Sequence, residues 1–318
     1  MRKFKFLMLS IFSISILLTS CGETIDEAQV LVDFLESVDS PIDVAAPGMA
    51  KYTKAVDLQA LLPNDAYVID IRSEDDYNLG HIQGAVWVDQ KSVIAHLDGT
   101  TTGDKAIVIA CYTGQTAGFV TSLVNLSGYE ASSLKFGMSG WEASLDKISS
   151  NSTNSYDMVT TITEKASEGI LPVLETGFEG GQEILDARID AVNTSGFGEA
   201  AILSSVVFES PEDYYIMNYW GATDYAKGHI DGAIQYTPHV DILNTEALKT
   251  LPTDQTIVVY CYSGQTSAFT TAYLKVLGYD AKSLKFGVNG FATDWAAENG
   301  LFSWDADSNI AGYNLFTD

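Results

Sequence analysis

The chain says nearly the same thing twice. "CYTGQTAGF", beginning at Cys111, returns as "CYSGQTSAF", beginning at Cys261, and the repetition extends well beyond these loops. "YVIDIRSEDDYNLGHIQGAVWV" (Tyr67 to Val88) aligns with "YIMNYWGATDYAKGHIDGAIQY" (Tyr215 to Tyr236), and "SLKFGMSGW" (Ser133 to Trp141) with "SLKFGVNGF" (Ser283 to Phe291). Internal duplication constrains the fold more than any local signal, because each copy must adopt the same architecture.

Each copy presents its elements in one order. A short apolar strand ends at "VID" or "IMN", an acidic helical turn and the "GHI-x-GA" turn follow, and then a polar helix. A buried strand ("AIVIA" or "TIVVY") leads into the cysteine loop, a helix ends at Gly128 or Gly278, and a last strand runs through "SLKFG". Strands alternating with helices of this length predict an α/β fold, a parallel sheet flanked by helices in each copy. The expected organisation is a first domain over residues 51–150, a linker and interdomain helix over 151–197, and a second domain over 198–318. In the linker, the apolar patch from Ile170 to Leu174 suggests a strand or strap across a domain face. "QEILDARIDAVNTSGFG" predicts a helix with Ile184, Leu185, Ile189 and Val192 on one stripe. Residues 23–51 predict a helical lead-in with Val30, Leu31, Phe34 and Leu35 as its apolar face.

With 318 residues, 46% of them hydrophobic, the chain has material for two packed cores. A formal charge of −25 argues against nucleic acid or anionic headgroups as partners, since both attract clustered Lys and Arg. The plain reading of this charge is a solubilising surface.

The N-terminus carries Arg2, Lys3 and Lys5, an apolar run from Phe6 to Leu18, and small residues before Cys21. This predicts a secretory signal peptide over residues 1–20 rather than a transmembrane anchor, which needs about 20 apolar residues. Leu18-Thr19-Ser20-Cys21 resembles the bacterial lipobox. The resemblance implies cleavage before Cys21, a diacylglycerol on its thiol, and a lipidated segment over residues 21–50. Localisation is then the bacterial cell envelope, with membrane attachment through the lipid, and Gly22 after the cysteine favours the outer membrane if the host is Gram-negative.

Two of the three cysteines remain. A Cys111–Cys261 disulfide would require equivalent positions of two repeats to approach within about 6 Å between Cα atoms, so matching individual roles are the stronger expectation. A strand that stops at a cysteine before a Gly-containing turn and a helix leaves main-chain N–H groups around the sulfur. Gly114 and Gly264 allow the loop to curl into an anion-binding nest, while Thr116 and Thr266 can cap the helix or turn a hydroxyl inward. Bringing a thiol from about 8.5 to below 7 takes roughly 2 kcal/mol, which a helix terminus and several amides can approach. The expectation is a thiolate near neutral pH; inert packing of the cysteine is its alternative.

The order D-x-R, E-x-x-Y-x-x-G-H-I-x-G-A, strand-C-x-x-G-x-T and G-x-x-x-W resembles the rhodanese family, sulfurtransferases that carry sulfane sulfur as a cysteine persulfide. Asp70, Arg72, Tyr77, Gly80, His81, Ile82, Gly84, Ala85, Cys111, Gly114 and Thr116 carry it in the first copy. Gly228, His229, Ile230, Gly232, Ala233, Cys261, Gly264 and Thr266 carry it in the second. The resemblance implies two rhodanese-like domains, with Cys111 and Cys261 as nucleophiles and no need for cofactor or metal. Tyr112, Thr113, Gly114, Gln115 and Thr116, and likewise Tyr262, Ser263, Gly264, Gln265 and Thr266, would form the substrate-binding loops. The expected partners are a small sulfur donor such as thiosulfate and a thiol or cyanide acceptor, with an envelope protein as a further possible partner. His81 and His229, in the "GHI-x-GA" turn, are expected to have structural roles.

The second copy departs from the pattern at Asn218 and Trp220, where the first has Asp70 and Arg72. Aromatic packing by Tyr219, Trp220 and Tyr225 would then stand in for an ion pair. Neither loop contains Arg or Lys, which predicts modest affinity for thiosulfate. Two other functions compete: a Cys-loop phosphatase or arsenate reductase, which would need an arginine closing the loop, and a non-catalytic binding or sulfur-carrier module.

Overall fold

The computed structural model describes residues 25–37 and 51–317; the signal-peptide and lipidation expectations, Cys21 included, lie outside the described residues. A lead-in helix, α1 (Glu27–Leu35), precedes the first half. That half runs β1 (Tyr52–Thr53), α2 (Ala55–Leu61), β2 (Ala66–Asp70), α3 (Glu74–Leu79), β3 (Val86–Trp87), α4 (Val93–Asp98), β4 (Ala106–Ala110), α5 (Gln115–Leu126) and β5 (Ala131–Leu134). The second begins with α6 (Gly181–Ser195) and continues β6 (Ala201–Ile202), α7 (Ser204–Glu209), β7 (Tyr214–Asn218), α8 (Ala222–Tyr225), β8 (Ile234–Gln235), β9 (Thr256–Tyr260), α9 (Gln265–Val276), β10 (Ala281–Leu284), α10 (Thr293–Glu298) and α11 (Ala306–Asn309).

Each half is a five-stranded parallel sheet, in the orders β1-β5-β4-β2-β3 and β6-β10-β9-β7-β8, as the duplication requires. The registers agree too: Tyr67 pairs with Ile107 and Tyr215 with Ile257. Chain leaving β2 turns to one side of the sheet, and chain leaving β4 turns to the other. The carboxyl ends of these two neighbours therefore frame a crevice, the place where open α/β sheets hold ligands. Cys111 and Cys261 follow β4 and β9 directly, so both stand at such a crevice. The polar helix expected after the "GHI-x-GA" turn forms in the first half as α4, whereas the second half has only a 3-10 turn at Leu248–Thr250.

The halves share one core. Ala28, Leu31 and Leu35 of α1, Phe119 and Leu123 of α5, Ile184 and Ile189 of α6, and Ala272 and Leu274 of α9 belong to a single apolar cluster. The expected stripe Ile184, Leu185, Ile189 and Val192 on α6 is fully buried. Helices α5 and α9 pack against each other, close enough at Gly118 that a Cβ there would press on Phe269. This explains why neither helix shows a polar face in sequence: the sheet takes one side and the sister helix the other.

Chain segments cross between the halves as well. Residues 153–159, which follow the first copy, lie along the second: Thr153 donates to the Asn289 carbonyl, and Val159 and His229 exchange main-chain hydrogen bonds of 2.9 and 2.8 Å. The C-terminal segment returns the exchange. Tyr313 donates to the Trp141 carbonyl and packs on its ring, and Phe316 exchanges two 2.9 Å bonds with His81. Residues 153–159 thus form one strap over the second half, and the expected patch at Ile170 to Leu174 also lies on that half. Leu171 and Leu174 are buried in the core, with Leu174 and Pro172 against Gly278, while Ile170 and Val173 face outward. The tail of the segment assigned to the second domain completes the first.

Removing residues 311–318 should therefore weaken the first half selectively, by roughly 2–4 kcal/mol for the lost aromatic and aliphatic packing. Hydrogen exchange is expected to speed up at the β2 and β4 amides and stay unchanged in β7 and β9; equal loss of protection in both sheets would contradict the exchanged-strap arrangement.

Candidate active site

The two cysteine loops have one geometry. After β4 the chain turns through Gly114 in the left-handed region (φ 83°), which is also the residue preceding α5; Gly264 does the same before α9 (φ 82°). The turn aims main-chain donors back at sulfur. Gly114 N and Ala117 N each stand 3.2 Å from Cys111 Sγ, and Ser267 N stands 3.3 Å from Cys261 Sγ. The Cys111 and Cys261 carbonyls accept from Met138 and Val288, so the following "KFG" turn clamps each loop from behind. Both sulfurs are buried and neither is in a disulfide.

Burial changes the expected charge state of the first cysteine. It pushes the Cys111 thiol up; the amides of Ala117, Thr113 and Gly114 pull it down, and the Asp70 carboxylate adds to the upward push. Desolvation outweighs the amides, so Cys111 rests as a thiol and not as the thiolate expected from loop and helix alone. The donors are in place nonetheless, and they will favour negative charge on sulfur once a reaction places it there.

The loop side chains separate into groups the sequence treats alike. Gln115 and Gln265 are buried and reach the opposite half, Gln115 Nε2 also donating to Thr113 Oγ1 of its own loop at 3.0 Å. Gln265 Oε1 accepts from Phe136 N at 2.9 Å in the first half, and Gln115 Oε1 accepts from Phe286 N at 2.8 Å in the second. Each lies against the opposite loop's glycine, where a Cβ would overlap it. Expected in the substrate-binding loops, these two side chains tie the loops of the two halves together. Thr116 and Thr266 do not cap their helices, because the preceding glycine occupies that position. Thr266 instead bonds to Tyr52 of the first half, 2.7 Å away. Thr113 and Ser263 remain half-buried at the loop surface. Tyr112 reaches the Asp76 carboxylate, which helps hold that carboxyl below its ordinary value, and Tyr262 donates to Asp224.

Behind the loops the halves diverge. Arg72 pairs with Asp70 at 2.7 Å and donates to the Gly80 carbonyl at 2.7 Å, both groups being buried. In the second half Asn218 Nδ2 donates to Tyr260 Oη at 2.8 Å, and that hydroxyl accepts from Ile230 N. Trp220 stacks flat on Tyr262, with centroids 4.9 Å apart. Of the three aromatic residues expected to stand in for the ion pair, Trp220 does so, packing on Tyr262 and on Tyr260 at the position of Ala110. Tyr219 instead joins the shared core and accepts from His239 N, and Tyr225 stacks on His229 just as Tyr77 does on His81. His81 and His229 stack on Tyr77 and Tyr225 and bond to their carbonyls through Nδ1, the structural roles expected of them.

Two further residues escaped the sequence reading. Lys147 places its ammonium 3.8 Å from the centroid of the Tyr112 ring, supplying the first loop with a cation that the loop itself does not encode. Ser267, at the position of Ala117, adds a hydroxyl 3.6 Å from Cys261 Sγ. The Ala-to-Ser difference was visible in the aligned loops; Lys147 had no local signal.

Comparison with known proteins fits this geometry. The family model described as "Rhodanese-like domain" matches residues 54–144 and 174–294. The thiosulfate sulfurtransferase GlpE of Pseudoalteromonas translucida is 32% identical over 87 residues, covering 27% of this chain and 82% of that protein. Among solved structures, the thiosulfate sulfurtransferase of Pseudomonas aeruginosa aligns with 90% of this chain and 70% of its own at 16% identity and a TM-score of 0.29. Reduced Bacillus anthracis CoADR-RHD aligns over 29% of this chain at 21% identity and a TM-score of 0.27, and the match spans only 16% of that chain.

The charge state of the first loop can be measured. Alkylation of the Cys111 peptide by iodoacetamide should rise with pH through a midpoint above the free-thiol value of about 8.5. In Asp70→Asn the midpoint should move down, since a charge that opposes the thiolate has gone. A wild-type midpoint below 7 would show that the amides outweigh burial.

Proposed function

The chain belongs to the rhodanese-like domain family, and from that premise we propose that it is a sulfurtransferase working through persulfides on Cys111 and Cys261. The observation that carries the reading is the pair of main-chain donors 3.2 Å from Cys111 Sγ, matched by Ser267 N at Cys261. Such donors stabilise negative charge on sulfur without a cation.

The chemistry balances without a cofactor. Cys111 loses its proton to solvent, and the thiolate attacks the outer sulfur of a donor such as thiosulfate. A new S–S bond forms, the donor's S–S bond breaks, and sulfite leaves with the electron pair. An acceptor, cyanide or a thiolate, then attacks the outer sulfur of the persulfide and releases the cysteine thiolate. The raised Cys111 thiol makes the first deprotonation a cost, which the loop amides offset as charge develops. The loops close on Ala117 and Ser267, not on an arginine, so the bidentate clamp that a phosphatase needs for a tetrahedral dianion has no source within either loop.

A carrier or binding role for the second half is the alternative. It is favoured by Trp220, which lies flat against the loop residue Tyr262 where the first half has a buried ion pair. The N-terminal sequence supports a lipid anchor at Cys21 and a place in the bacterial cell envelope, outer-membrane if the host is Gram-negative.

Thiocyanate release from thiosulfate and cyanide tests the proposal. Cys111→Ser and Cys261→Ser should each lose part of the turnover, and the double variant should fall by at least about a hundredfold. If Cys261→Ser alone retains full turnover, the second half is a carrier or binding module; full turnover in the double variant would overturn the persulfide mechanism.

A further inference from the structure

The two loops differ in what holds the first turn of the helix that serves the sulfur. In the second half, residues 265–267 are fastened one after another. Gln265 is held by Phe136 N of the first half, Thr266 bonds to the Tyr52 hydroxyl at 2.7 Å, and Ser267 N donates to Cys261 Sγ at 3.3 Å. In the first half Gln115 is held by Phe286 N and Ala117 N donates to Cys111 Sγ, but the hydroxyl of Thr116 between them makes no hydrogen bond among the described residues. The difference has a clear origin. Tyr52 lies on edge strand β1 opposite Ser133, and the residue in the same register on β6, opposite Ser283, is Ala201, which has no side chain long enough to return the contact.

We propose that Tyr52 is a positioning residue for the second active-site loop: a hydroxyl from the first half fixes Thr266, and through it the Ser267 amide, on Cys261. The inference rests on the reading of Cys261 as the sulfur-carrying nucleophile of its half. The Tyr52 ring also packs edge-on against Phe269 at 5.7 Å, so the phenol approaches Thr266 from one fixed direction. A hydroxyl anchored on one side aligns its neighbours, and hydrogen bonds in a chain strengthen one another. The groups that share the electrostatic environment of Cys261 are Tyr52 from β1, Tyr219 beyond β7 and Tyr262 in the loop itself, with Asp224 of α8 bonded to Tyr262. Burial raises all three phenols, Tyr219 to about 12, so they stay protonated through the neutral range and Tyr52 acts there as a hydroxyl. The second loop is thus completed by the first half, whereas the first loop receives no equivalent hydroxyl.

The test is site-resolved alkylation of the full chain with iodoacetamide from pH 6 to 9.5, read by mass spectrometry on the Cys111 and Cys261 peptides. Tyr52→Phe keeps the ring and removes the hydroxyl. In this variant Cys261 should alkylate about threefold more slowly at a given pH on the rising part of its profile, with the profile displaced upward, and Cys111 should be unchanged. Thr266→Val should reproduce the shift, and the double variant should add little to either single change. An unmoved or lowered Cys261 profile, an additive double variant, or equal displacement of both cysteines would overturn the proposal; the last would mark a general loosening. Alkylation requires no sulfur donor, so absence of turnover, which would count against the sulfurtransferase reading, is seen separately.

Discussion

The structure depends on a strand-to-helix turn that only glycine can make. At Gly114 and Gly264 the main chain takes a left-handed conformation, and the opposite half's glutamine fills the space a Cβ would need. One turn therefore has two effects. It directs amide groups at the cysteine sulfur, and it opens room for Gln115 and Gln265 to cross between the halves. Replacing either glycine would strain the backbone and expel the glutamine in the same step.

Duplication on these terms produces one intertwined unit rather than two beads on a linker. Helices α1, α5, α6 and α9 share an apolar cluster, and extended segments cross so that each half closes with chain from after the other. Within this near-symmetric frame the buried polar groups have diverged together. The first half places Asp70 and Arg72 behind its loop. The second places Asn218, Trp220 and Tyr260 there, with the Tyr260 hydroxyl bridging Asn218 and the Ile230 amide. A buried ion pair costs desolvation that only good geometry recovers, so its replacement by a neutral aromatic group need not weaken the fold. It does remove a carboxylate from beside the sulfur. The two thiols accordingly work in different fields although their loops read alike.

Element order, the parallel sheets, the buried stripe of α6 and the position of both cysteine loops were legible because they follow from apolar periodicity, glycine placement and repetition. The stacked roles of His81 and His229 were legible from their place in a turn remote from the cysteine. Other features were not. "GQT" reads the same whether the glutamine lines a substrate site or docks on a neighbouring half, and only tertiary packing decides. Segments 153–159 and 311–316 are extended and lack periodicity, so nothing local marks the partner each one pairs with. Lys147 reaches Tyr112 from 35 positions along the chain. The resting state of Cys111 depends on a contest between burial and amide donors; sequence reveals the donors but leaves the depth of burial unknown.

The central claim is that both repeated cysteines carry sulfur. Peptide mass spectrometry after treatment with thiosulfate, before and after cyanide, tests it most directly. The account predicts a gain of about 32 Da, one sulfur atom, on the Cys111 and Cys261 peptides, and its loss once cyanide is added. No gain on either peptide, or a gain that cyanide fails to remove, would contradict it.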